Sequence, residues 1–132
     1  MKSALCSLLL SLIASGCAPW QYYDPAKPGV AYTPKPASYE MPILQRNEVA
    51  RPFKDIGQVS ALGGTYAMQR DMYKAIRSKA RAIGADALVD VHYSDARLYP
   101  DIIATAITYT DTSNPEVKIT PAKSLATPKE KP

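Results

Sequence analysis

Apolar positions in the middle of the chain follow two different periods. Met68, Met72, Ala75, Ile76, Ala80 and Ile83 recur at spacings of three and four, the repeat of a single helix face. Thr65 can cap such a helix, which runs to about Ile83, and Gly84 stands where a left-handed C-cap belongs. On either side the period drops to two. Phe53 to Ala61 reads as a short strand with a possible bulge at Gly57, and Leu62 to Gly64 as a turn. Ala87 to Tyr93 reads as a strand with Val89, Val91 and Tyr93 on one face. Ile102 to Tyr109 reads as the last strand, with Ile103, Thr105, Ile107 and Tyr109 alternating. The predicted order is βαββ, an α+β domain over 51–111 with one amphipathic helix on a three-stranded mixed sheet. A helical crossover between the first two strands should make them parallel, and the last two should form an antiparallel hairpin.

This pattern stops at both ends of the domain. Residues 17–50 are rich in proline, including Pro19, Pro25, Pro28, Pro34, Pro36 and Pro42, and they balance Lys27, Lys35 and Arg46 against Asp24, Glu40 and Glu48. Proline removes amide donors and disfavours helix and central strand, so this stretch is expected to be an extended tether. It also carries Trp20, Tyr22, Tyr23, Tyr32 and Tyr39. The three nearest Cys17 suit a membrane interface, or else they pack on the domain. Residues 112–132 hold four more prolines and few large apolar residues, which predicts a disordered tail. A domain of some 60 residues has a small core, so self-association is a reasonable expectation.

The first residues change the picture of where the chain works. Lys2 precedes a short apolar run, Ala4 to Ile13, about half the length a membrane-spanning helix needs. Residues 1–16 therefore read as a signal peptide. Cys6 falls inside it, which leaves Cys17 as the one mature cysteine, preceded by Ala14, Ser15 and Gly16. Small residues before a cysteine resemble the lipobox of bacterial lipoproteins, in which that cysteine is acylated and becomes the first residue. The commonest lipobox has Leu where Ala14 stands. The other reading is an ordinary secreted chain with a free thiol. Acylation removes that unpaired thiol and supplies the two or more acyl chains that hold a protein on a bilayer. Ala18 follows the cysteine instead of Asp, which by analogy with enteric bacteria points to the outer membrane, facing the periplasm.

Charge and chemistry narrow the function by exclusion. A net charge of +4 over 132 residues is too mild to imply nucleic acid. Arg70, Lys74, Arg77 and Arg81 are spaced four, three and four and fall on one helical stripe, with Asp71 the only acid in the helix. Such a stripe repels itself. It suits docking on anionic headgroups or an acidic partner; the alternative is a solvated face. Asp90 and His92 are two apart on a strand, with Asp95 and Asp101 nearby, and could hold a divalent metal or exchange a proton. They read better as the wet face of a half-exposed sheet. No phosphate loop, lipase elbow or zinc spacing occurs, so neither catalysis nor a cofactor or bound metal is expected.

The run "DIGQVSA", the helix, and "ARAIGADALVDVHYSD" together resemble the small βαββ domains of the YbjQ-like group and of RcsF-like envelope lipoproteins. The likeness covers about Phe53 to Tyr109 and centres on the turn Ile83-Gly84-Ala85-Asp86-Ala87. It implies a partner-binding envelope lipoprotein of the kind engaged in envelope stress sensing. The alternative it implies is a structural lipoprotein that assembles into homo-oligomeric rings or a larger envelope complex. A metal or small-ligand module is the weaker third option. RcsF-type domains are cross-linked by disulfides, and this domain has no cysteine, so redox sensing does not carry over.

Overall fold

A computed structural model describes residues 18–96 and 98–111, together with the backbone of Glu116–Lys118. The expected signal peptide, Cys17 and most of the tail lie outside the described residues. Among the described residues, six strands and one long helix follow in the order β1 (Trp20–Pro25), β2 (Val30–Tyr32), β3 (Phe53–Leu62), α1 (Gln69–Ala82), β4 (Ala87–Ser94), β5 (Asp101–Tyr109) and β6 (Glu116–Lys118). The α+β architecture, one helix packed on a sheet, is as expected.

The sheet itself differs from the expected one. It has four strands in the order β1-β3-β5-β4, and every pair is antiparallel. β3 and β4 do run in the same direction, as a helical crossover demands, but β5 is inserted between them. A mixed sheet was expected because a crossover usually joins neighbouring strands. Here the hairpin return occupies the neighbouring place. The fourth strand comes from the proline-rich segment: Trp20 to Pro25 pair with Leu62 to Gly57. Pro25 ends the strand and so costs the ladder little.

Helix α1 covers one face of this sheet. Met72, Ala75, Ile76 and Ala80 are buried against Val59, Ala61, Leu88, Ile102, Ala104 and Ala106. The helix starts three residues later than a Thr65 cap would place it. Met68 is the N-cap, and the Asp71 carboxylate accepts the Met68 N–H at 3.2 Å. At the other end Gly84 has φ +81°, its N–H donates to the Arg81 carbonyl, and the Ala85 N–H donates to Ala80. This is the left-handed cap the glycine signalled.

Two bulges reset the side-chain alternation. The β3 bulge falls between Asp55 and Gly57, as the glycine suggested. The β4 bulge was not expected. Register slips between Val89 and His92, and Asp90 takes φ 53°. Leu88, Val91 and Tyr93 consequently face the helix, whereas Val89 joins Ala87 and Ile107 in a small second core on the opposite face. On β5 the main core uses Ile102, Ala104 and Ala106, not the Ile103 to Tyr109 series, which lies on the far face.

The remaining proline-rich chain does not stand off as a tether. Tyr32 and Met41 are buried in the main core. Residues 42–44 run along the outer edge of β4: the Leu88 N–H donates to Pro42, the Leu44 N–H donates to Leu88, and Ile43 bridges Leu88 in parallel. The chain then turns through a short 3-10 segment, Arg46–Glu48, to set Leu44 and Val49 on the second core. The tail also contributes to the fold, since β6 pairs with β2.

Candidate functional site

The two ends of the sheet are chemically opposite. One end holds the turn after α1, the start of β4 and the end of β5. There the proline-rich segment is bound by ion pairs. Asp86 is 6% exposed and is the hub. Its carboxylate accepts from Lys35 Nζ at 2.6 Å, Thr108 Oγ1 at 2.7 Å and the Tyr109 N–H at 2.8 Å. The Tyr39 hydroxyl donates to its carbonyl at 2.8 Å. Burial alone would push the Asp86 carboxyl up; the bonds from Lys35, Thr108 and Tyr109 outweigh burial and hold it below the usual carboxylate range. The Lys35 backbone N–H donates to the Arg81 carbonyl at 2.8 Å, so the same residue also satisfies a carbonyl of the last helical turn.

Nearby, Arg46 bonds Asp55 through Nη1 at 3.0 Å and Asp90 through Nη2 at 2.6 Å. Arg51 makes two bonds to Asp111 and lies 4.1 Å from the centre of the Tyr109 ring. Four side chains of the proline-rich segment and its exit, Lys35, Tyr39, Arg46 and Arg51, thus clamp it to the domain.

The residues singled out by sequence fall as follows. Arg70, Lys74 and Arg77 are exposed on the outer face of α1. Arg70 lies 3.8 Å from Asp71, and Lys74 and Arg77 make no ion pair among the described residues. Arg81 leaves the stripe: it is half-buried, and its Nη1 donates to the Tyr39 carbonyl at 3.3 Å. The Asp90 carboxylate belongs to Arg46, while His92 is exposed and forms no ion pair among the described residues. Among the described residues no three His, Cys, Asp or Glu side chains converge as metal ligands. Cys17 lies outside the described residues, but β1 begins at Trp20, so only Ala18 and Pro19 separate it from the sheet.

The opposite end is bare and apolar. Trp20 pairs with Leu62, Leu62 with Asp101, and Asp101 with Ser94, which places the start of β1, the end of β3, the start of β5 and the end of β4 together. An open cleft of about 640 Å³ lies there, lined by Trp20, Leu62, Tyr66 and Tyr99 among others. The sequence marked Trp20, Tyr22 and Tyr23 for a membrane interface; Trp20 and Tyr22 are exposed, but Tyr23 packs on the main core and its hydroxyl donates to the Ile56 carbonyl at 2.9 Å. It did not mark Leu62, Tyr66 or Tyr99, which read as turn, first helical turn and loop until the sheet brings them together.

No protein-family model matches the chain, and no curated protein or solved structure matches it.

Proposed function

We propose that this is an outer-membrane lipoprotein, acylated at Cys17 and facing the periplasm, whose domain binds an envelope protein through the outer face of α1. The observation that carries this reading is the unequal use of cations. Lys35, Arg46 and Arg51 are all paired within the fold, whereas Lys74 and Arg77 project into solvent beside Arg70 with no carboxylate on them among the described residues. Like charges left together on a helix cost some stability, and an acidic partner would recover it. The domain acts as a binding module and performs no catalysis. The resemblance to RcsF-like proteins supports a role in reporting on the envelope.

The test has two arms. A Cys17→Ser chain should leave the membrane fraction and fail to incorporate labelled fatty acid; unchanged sedimentation and labelling would refute the anchor. A Lys74→Gln/Arg77→Gln chain should melt like the parent yet lose a crosslink formed from the α1 outer face in intact cells. An equal crosslink would refute the surface. Ring assembly is the second reading, favoured by the place of β1 at the sheet edge, where a strand can pair with another copy. Light scattering on the unlipidated chain separates the two, since assembly requires a multimer.

A further inference from the structure

The large apolar side chains that the domain leaves exposed are not scattered. All of those among the described residues lie at, or within two ladder positions of, the end of the sheet where β1 begins. β1 contributes Trp20 and Tyr22, which are 70% and 51% exposed. The end of β3 adds Leu62, and the turn that follows adds Tyr66, 95% exposed, and Met68. The loop after β4 adds Leu98, 75% exposed, and Tyr99. Soluble domains rarely gather apolar groups in this way without something to cover them.

The chain itself says what covers them. The described residues start at Ala18, at this same end, one residue after Cys17. Ala18 and Pro19 can span only on the order of 10 Å, so an acyl group on Cys17 would be attached beside this patch. The composition fits the place: Trp and Tyr bury a ring at the headgroup level and keep a polar tip wet, and Leu and Met reach deeper. The described charges near it, Arg70 and Asp71 from α1, Asp95 from the loop and Asp101 from β5, are mostly acidic, so burial of apolar surface and not attraction to anionic lipid must drive insertion.

We infer that the Trp20–Leu62–Tyr66–Tyr99 end of the domain inserts into the phospholipid interface that carries the Cys17 anchor, so that the sheet stands on the membrane by this end. The inference rests on the proposed anchorage. It also fixes the helix. α1 begins at this end and runs about 21 Å away from it, so Arg70 lies at headgroup height while Lys74 and Arg77 face the aqueous side, available to a protein and not to lipid.

Trp20 is the chain's only tryptophan and reports on the patch directly. The full chain, expressed with its signal peptide and purified, is weighed by mass spectrometry to establish acylation. It is then reconstituted into phosphatidylethanolamine–phosphatidylglycerol vesicles with and without brominated acyl chains. The expected result is Trp20 emission shifted to the blue and strongly quenched by brominated lipid, equally so in high salt. A Leu98→Asp/Tyr99→Asp chain should keep its circular dichroism and its flotation with vesicles, and lose most of the quenching. An unmodified mass would defeat the anchorage reading; Cys17 can then be coupled to a maleimide lipid and the quenching read as before. A vesicle-bound chain whose Trp20 emits as in water, or whose blue shift is already present without lipid because a second copy covers the patch, overturns the inference.

Discussion

One end of this small sheet is tied down by charge and the other is left apolar and open, the reverse of what solubility alone would favour. At the tied end, Asp86, Asp90, Asp55 and Asp111 each take a cation from the proline-rich chain or its exit, and the carbonyls at the end of α1 are capped by Gly84 and Lys35. At the open end, Leu62, Tyr66 and Tyr99 meet solvent. The contrast teaches that the strap and the patch serve different ends. The strap completes a core too small to stand on a helix and three strands, adding β1, Tyr32 and Met41. The patch adds nothing to that core, which marks it as surface for a second environment.

The tied end should respond most to substitution. Asp86→Ala removes the hub and leaves Lys35, Thr108 and the Tyr109 amide without their acceptor, which should cost about 3 kcal/mol, read from a urea midpoint. The same carboxyl sets the acid limb. Its native pKa lies below the ordinary value near 3.9, so its stabilisation is complete above about pH 4 and fades as pH falls through the depressed native value. An Asp86→Asn chain should lose that part of the slope, and an unchanged acid limb would show that Asp86 is not the clamp.

Gly84→Ala comes next. A Cβ there would stand 2.5 Å from the Thr33 carbonyl oxygen and 2.8 Å from Tyr32 Cβ, at φ +81°. The left-handed backbone and the crowding together should cost about 2 kcal/mol, or about 10 °C in a thermal melt of so small a domain. If the strap were a loose spacer, only the smaller backbone term would appear. Arg46→Ala should cost under about 1 kcal/mol, because its two ion pairs are exposed, and the difference should shrink in high salt. At the open end, Leu98→Asp should move stability by no more than about 0.5 kcal/mol. A larger loss would mean that this end belongs to the core and would dissolve the contrast.

Local chemistry in the chain was enough for the helix and its glycine cap, the strands β3, β4 and β5 and the Gly57 bulge, because period, capping and turn residues act over a few neighbours. The basic stripe was legible for the same reason, save that Arg81 is drawn off to Tyr39 by a chain segment 42 residues away. Proline content correctly excluded α-helix from the described residues 18–50 but was mistaken for absence of packing. Pro19, Pro25 and Pro42 all sit where no ladder donor is needed, and the residues between them fill the sheet edge and the core. The β4 bulge carries no glycine to announce it; Asp90 holds its left-handed backbone beside Arg46, and only that long-range pairing reveals it. The apolar end is the plainest case. Trp20, Leu62, Tyr66 and Tyr99 are up to 79 positions apart, and no pattern along the chain relates them. Their meeting depends on strand order and register, which are decided when the whole sheet closes.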